Sequence, residues 1–453
     1  MQHGKNTHRF NRLIEIYLVT FILLQPLLDV TAYINLPISE PVRVLTLFLG
    51  LVYILLSPHN RAKVMAISYI VLLGIFMSAN LVNNFVVKDP FSLMTEMTYI
   101  IKTSYFLIML IIYYFVFKSL SGQFEWRNTF QKYVTINLAV IGFIMLLASL
   151  TDTGNRSYGM LDKEGHSGWF YSGNEVSAIL GIGFAVMILY LMKQPTVKKS
   201  FLLLPSVIVT SWAILTVGTK VGVGSLLMVL ALGSIIALFE IWKKRKWFNA
   251  ILLPTLLVLS IFAVPFTAVG NNLGLTAERM DQVSEGENAD DDPNNNSETE
   301  DDEDTNSSDR SAQARELLSS RDVFLAEKID QYKEAPISQK LLGMGRGGNY
   351  KEKPSLVEMD ILDWFLNFGI LGFIVLVIPI VFFLFMIMKH LVISRFSVLN
   401  GENLFVGIAV AIGCGTAFLA GHVLSSPASG IYLALLMAYL YRSTKPMQRV
   451  SKK

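Results

Sequence analysis

The chain has one cysteine in 453 residues, Cys414, so it forms no internal disulfide and is not a disulfide-stapled scaffold. Charge is scarce as well. Asp, Glu, Lys and Arg make up 16% of the residues, where soluble domains run nearer about a quarter. Histidine occurs six times. There is no Walker A loop, no HExxH, no GxSxG and no CxxC, so the sequence carries no visible machinery for ATP hydrolysis, zinc proteolysis or thiol redox chemistry. No basic patch interleaved with aromatics suggests nucleic acid, and no segment repeats at the period of a solenoid. What is abundant is apolar surface. Hydrophobic residues make up 53% of the chain and the mean hydropathy is +0.48, enough for about 12 spans at ~20 apolar residues each.

Twelve apolar runs meet that expectation, at about 14–36, 42–57, 64–86, 96–117, 133–151, 174–192, 201–218, 221–242, 248–266, 361–388, 403–423 and 428–442. The fold class implied is an all-α polytopic membrane protein of about 12 transmembrane helices, with one large extracellular loop between helices 9 and 10. Three regions follow: helices 1–9 over 1–266, the loop over 267–360, and helices 10–12 with a basic tail over 361–453. The first run follows HRFNR and passes Asp29 without a small-residue cleavage site, so it reads as a retained helix. An N-terminus in the cytoplasm puts 22 Lys and Arg residues on that side and only Arg43, Lys88, Arg156 and Lys163 in the short outer loops. The positive-inside rule therefore expects both termini in the cytoplasm. The formal net charge of +3 conceals an asymmetry, because residues 267–360 alone hold 22 acidic and 10 basic residues.

Within that loop, 281–310 holds 13 acids and one arginine, too little apolar surface to fold, and the sequence predicts a disordered tether. Residues 311–341 place Leu317, Phe324, Leu325, Ile329 and Tyr332 at roughly helical spacing. This predicts one amphipathic helix lying against the bundle. GMGRGGNY, residues 343–350, reads as a flexible turn with exposed backbone.

Polar residues at the ends of apolar helices are the functional pointers. Asp29 and Lys102 suit pairing with a neighbouring helix and snorkelling. Lys220, in LTVGTKVGVGS, offers a point charge among glycines at the junction of the seventh and eighth runs, or it snorkels beside a small-residue seam. The segment GHSGWFYSGNEVSAIL, residues 165–180, sets His166, Trp169, Asn174 and Glu175 where the chain enters its sixth run. Its aromatics suit either an interfacial belt or sugar rings, and Asn174 is placed to cap the helix. In SLVEMDILDWFLNFGILGF, residues 355–373, Glu358, Asp360 and Asp363 cluster at the mouth of the tenth run. One carboxylate there is explained by the helix dipole, and three are more than capping requires.

Residues 165–180, 213–225 and 341–373, with the helix count and the late outer loop, give a chain that resembles the bacterial O-antigen ligase and polysaccharide polymerase family. That family's last motif has a polar residue, often in His-Asn, about eleven positions before a G-x-x-G. Here Glu358 stands eleven before Gly369. Thr219-Lys220 stands where the family usually has Ser-Arg. Arg321 resembles the family's arginine of the large-loop helix, with Arg315 a close competitor. The version VEMDILDWFLNFGILG resembles a Gram-positive, wall-polysaccharide or teichuronic-acid-type branch. The resemblance implies glycosyl transfer on the outer face of the membrane from a glycan carried on undecaprenyl pyrophosphate, by an inverting reaction with no metal, cofactor or nucleotide sugar. The implied catalytic set is Glu358, Asp360, Arg321 and Lys220. Asn174, Glu175, Trp169, Asp363, Arg315 and Arg346 are the implied substrate-binding residues. Implied partners are the lipid-linked donor, a glycan acceptor, membrane lipids and other polysaccharide-assembly proteins. A transporter or flippase of lipid-linked oligosaccharide is the alternative. Transporters, however, tend to show paired broken helices in two halves, whereas these polar residues gather on one side.

Overall fold

The computed structural model describes residues 2–121, 125–158, 163–244, 247–274, 321–350 and 356–445. The sequence is too apolar to satisfy its backbone from lipid, and it satisfies it internally as helices. The first span is α1 (Gln2–Thr20), a 3-10 turn (Phe21–Leu24) and α2 (Gln25–Tyr33). The tightening falls just before Pro26, which has no N–H and crowds the carbonyl one turn back. Next come α3 (Ser39–Leu56), α4 (Arg61–Val87), α5 (Leu93–Leu120), α6 (Trp126–Leu150), α7 (Gly173–Met192), α8 (Val197–Val217), α9 (Lys220–Lys244) and α10 (Trp247–Ala263). Two short helices, α11 (Arg321–Glu334) and α12 (Ile337–Leu342), precede α13 (Asp360–Ile393), α14 (Gly401–Leu419) and α15 (Pro427–Thr444).

Among the described residues, 11 helical segments are long and apolar enough to cross a membrane. They coincide with the first eleven apolar runs, and α15 coincides with the twelfth. α15 is less apolar because it faces protein rather than lipid. It is buried along almost its whole length, against α5 and α7. Its hydroxyls join it to neighbours: Asn137 donates to Tyr432 at 2.9 Å, Gln131 donates to Tyr439 at 2.7 Å, and Tyr439 donates to Glu402 at 2.5 Å. Lys193 closes on the same Glu402 carboxylate at 2.6 Å, which ties the ends of α6, α7, α14 and α15 together. The end of the bundle carrying Glu402, Lys118, Lys389 and Arg442 is termed here the basic face. The opposite end, where α10 ends and α13 begins, is the loop face.

A two-stranded hairpin, β1 (Asn155–Arg156) with β2 (His166–Gly168), is the one β element among the described residues. In the described part of the 311–341 stretch, from residue 321 on, the expected helix is interrupted, because Pro336 cannot continue α11. Leu325 and Tyr332 of α11 and Leu362 and Phe365 of α13 pack against one small apolar cluster, and the Tyr332 and Phe365 rings lie 5.3 Å apart. Residues 281–310 and 311–320, including Leu317 and Arg315, lie outside the described residues.

GMGRGGNY is not the exposed turn that its glycines suggest. Met344 is fully buried, and the segment closes a break in α13. At Gly369 the helix leaves helical geometry, with φ 65° and ψ −173°, a conformation reserved for glycine. The carbonyls of Leu366 and Asn367 are thereby freed. They accept from the backbone N–H groups of Met344, at 3.1 Å, and Gly345, at 3.0 Å. Asn80 of α4 adds a 3.2 Å bond to Asn367. Broken backbone at this depth persists only where protein groups replace the lost partners. On the far side of the turn Lys88 donates to the Arg346 carbonyl at 2.8 Å and to Glu96 at 2.5 Å, while Lys328 donates to the Gly347 carbonyl at 2.7 Å.

Candidate active site

The first turn of α13 and the loop joining α14 to α15 build the centre of the loop face. Asp360 is buried, and its carboxylate accepts three hydrogen bonds from that loop. The donors are the N–H groups of Val423 (2.8 Å) and Leu424 (2.7 Å) and the Ser425 hydroxyl (2.5 Å). Asp363, also buried, accepts from the Val357 N–H at 2.9 Å. Each carboxylate therefore holds a piece of backbone. Between the two pieces, Glu358 and His422 meet with Oε2 and Nε2 3.8 Å apart.

Both residues hold left-handed backbone, Glu358 at φ 62° and His422 at φ 59°. Non-glycine residues resist that region, so the neighbouring structure must impose it. Gly421 explains how. Its own φ is 65°, and a side chain there would come within 2.5 Å of the Glu358 carbonyl, so the two backbones touch. Ser429 fixes the other side by donating to the His422 carbonyl at 2.5 Å. The Glu358 side chain is 50% exposed, whereas His422 Nε2 is buried without a hydrogen-bond partner, so the pair opens to solvent on its Glu358 side. Burial works against the imidazolium of His422. The nearby carboxylates, Glu358 first and then Glu175 and Asp360, outweigh it and raise the pKa above the ordinary histidine value.

The same loop runs into a groove of about 1000 Å³ whose walls include Ser425 and Ser426, the start of α7, the ends of α2 and α3, and the first turns of α5. Its polar floor holds Asp29 paired with Arg43 at 2.5 Å, and Lys102 at the rim pairs with Glu40 at 3.3 Å. Its mouth is apolar, with Leu36, Val44, Leu93, Met94, Met97 and Ile101 exposed. Glu175 lines the groove, and its charge acts both on the Asp29–Arg43 pair and on His422.

The residues singled out from sequence thus separate. Glu358, Asp360, Asp363 and Glu175 come together, the two aspartates as anchors of backbone. Lys220 opens α9 at the junction with α8, beside Thr219, whose hydroxyl is bonded to Ser177 of α7 and accepts from the Gly222 N–H. The Gly218 carbonyl at that junction accepts from Tyr158 (3.0 Å) and Asn272 (3.3 Å). Trp169 lies outside the groove lining and donates from its indole to Thr153 at 2.8 Å. Phe170 and Tyr171 line the groove in its place. The cap of α7 is Ser172, which accepts from the Glu175 N–H at 3.4 Å, because Asn174 is already inside the helix. His166 accepts from the Gly168 N–H at 3.2 Å within the hairpin, and burial holds its pKa below the ordinary value against the pull of Asp152. Arg346 sits in the turn held by Lys88 and Glu96, apart from the groove lining. Arg321 is the first residue of α11, and its side chain lies outside the described part of the structure. Sequence reading missed His422, although a histidine between Gly421 and a serine pair, at the loop-face end of the last two helices, was a signal available to it.

The family model for O-antigen ligase like membrane proteins matches residues 11–446. The chain belongs to that family. No curated protein matches it. As an O-antigen ligase-like protein it is a membrane enzyme of polysaccharide assembly, of the glycosyltransferase type. Glu358, eleven residues before the break at Gly369, is the carboxylate of the Glu358–Asp360–Asp363 cluster most open to solvent, since both aspartates are buried.

Proposed function

We propose that this O-antigen ligase-like protein polymerises undecaprenyl-pyrophosphate-linked oligosaccharides for a bacterial cell-surface polysaccharide. In this reading the loop face lies outside the cytoplasmic membrane and both termini lie in the cytoplasm. The observation that carries it is the strained, solvent-open Glu358, set against His422 on a loop that continues into the groove. An acceptor sugar hydroxyl loses its proton to Glu358 as its oxygen attacks the anomeric carbon of the donor. The bond from that carbon to the pyrophosphate breaks, its electron pair leaves with the lipid diphosphate, and single displacement inverts the anomeric centre. The diphosphate is a good leaving group if cations meet the charge that develops, a role assigned to Lys220 and Arg321. Arg43 and Lys102 in the groove serve the same charge. The apolar mouth between α3 and α5 admits the polyprenyl chain from the lipid side.

The reaction is tested with purified protein in nanodiscs given a lipid-pyrophosphate oligosaccharide, with chain length followed on a gel. A ladder that Glu358→Gln abolishes, and that chelators leave unchanged, is the expected result. An unextended donor that is instead joined to an added polymer or protein acceptor makes the enzyme a ligase. Neither product, under conditions where another family enzyme is active, rejects the reading.

A further inference from the structure

The polar centre of the loop face has a counterpart at the basic face. A second cleft, of about 160 Å³, lies between α4, α5, α13 and α15 and is almost wholly apolar. Its walls include Tyr69, Tyr114, Phe115, Phe383 and Tyr441, and Met65 at its edge is exposed. The cleft is topped by cations. Lys118 is one turn beyond Tyr114, with its ammonium 5.8 Å from the centre of the Phe115 ring. Arg442 is the residue after Tyr441, and Lys445 caps the end of α15. Arg442 and Lys445 lie within electrostatic reach of Lys118, and Lys445 and Lys389 within reach of His390. Among the described residues, no carboxylate acts on Lys118 or His390.

The second observation is independent of those charges. His390 is 7% exposed and its ring lies tilted against Tyr441 with centres 5.3 Å apart, yet its buried Nδ1 has no hydrogen-bond partner. A buried polar nitrogen without a partner is uncommon, and this one adjoins the cleft through Tyr441, which lines it. Apolar walls under an uncompensated cationic rim match one chemistry that a bilayer supplies everywhere, a phosphate headgroup on acyl chains. We propose that this cleft is a binding site for one anionic phospholipid, with an acyl chain against Tyr69 and Phe383 and the phosphate held by Lys118, Arg442 and Lys445. The cleft meets α13 at 378–383, in the half of that helix away from Asp360, and it does not depend on the reaction proposed above.

The full-length protein, purified in detergent, is incubated with phosphatidylglycerol or phosphatidylcholine. Bound lipid is read by native mass spectrometry and stability by thermal shift. Phosphatidylglycerol is expected to remain bound and to raise the unfolding temperature, whereas phosphatidylcholine does neither. Lys118→Ala with Arg442→Ala should lower phosphatidylglycerol retention at least tenfold, and both positions sit at the bundle's end, where truncation leaves packing intact. Ala62→Phe, which fills the cleft and keeps every cation, should do the same. Equal retention of the two lipids overturns the proposal. So does retention unchanged in both variants, or an equal thermal shift from inorganic phosphate alone.

Discussion

Glu358 and His422 face each other across 3.8 Å, each in a left-handed backbone conformation, and neither conformation is local in origin. Asp363 holds the chain before Glu358, and Asp360 holds the chain after His422. The pair is therefore a product of two buried carboxylates that belong to one helix turn. In the proposed reaction this arrangement separates the group that takes the proton from the groups that place it, and the two kinds should fail differently when mutated.

Glu358→Gln should lower chain elongation by about 10²–10⁴-fold, the usual contribution of a general base, while leaving the protein folded. Glu358→Gly should be equally inactive yet more stable. A non-glycine residue at this φ costs about 1–3 kcal/mol, and glycine returns part of that as backbone entropy. A gain of about 0.5–1 kcal/mol is expected by thermal or denaturant unfolding. A glycine variant less stable than the wild type would mean that Glu358 holds the loop rather than being held by it.

Asp360→Leu should behave in the opposite way. The carboxylate accepts the Val423 and Leu424 N–H groups on one oxygen and the Ser425 hydroxyl on the other, and leucine accepts from none of the three. A buried group left unsatisfied costs about 1–3 kcal/mol. Hydrogen exchange at the Val423 and Leu424 amides should accelerate in this variant and stay at the wild-type rate in Glu358→Gln. Elongation should fall in both.

His422 gives a pH signature. Its pKa is raised by the surrounding carboxylates, so it binds its proton more tightly folded than unfolded. The stabilisation is fully present below the unfolded value, near 6.5, and is lost as pH rises through the higher folded value. Wild-type unfolding temperature should therefore drop over that interval above 6.5, and His422→Gln should not show that drop. The same variant should shift the alkaline limb of the elongation profile. Coincident limbs in the two proteins would remove His422 from the site.

The membrane spans were legible because an apolar run of fixed length has few alternatives in lipid, and even α15 was found despite its tyrosines. The Glu358–Asp360–Asp363 cluster was legible as three carboxylates too many for one helix end. Its division of labour was not, since the Val423 and Leu424 amides lie far along the chain and a backbone donor leaves no mark in sequence. His422 is visible in the sequence but was missed because nothing in the spacing of residues brings it beside Glu358, 64 positions earlier. The glycines of 343–348 misled, because a residue chosen for close approach looks like one chosen for freedom. Gly369→Ala is the test of that distinction. Its Cβ would come within 2.5 Å of the Gly343 nitrogen and 2.7 Å of the Leu341 carbonyl oxygen, in a backbone conformation only glycine adopts. A loss of about 3 kcal/mol or more is expected from clash and strain together, read as failure to recover folded protein from the membrane.

The groove offers the sharpest separation of binding from chemistry. Arg43 and Asp29 are each nearly buried, so Arg43→Ala strands a carboxylate and should destabilise by about 3–5 kcal/mol. Removing both charges together as Arg43→Met with Asp29→Leu should restore much of that stability. It should not restore activity if the cation also meets the diphosphate, because the loss then lies in the reaction and not in the fold. Ile101→Trp narrows the apolar mouth without touching any charge. It should raise the KM for a donor on a full polyprenyl chain and leave the KM for a donor on a short, water-soluble chain unchanged. Equal effects on the two donors would place lipid access elsewhere, whatever the fate of the double variant.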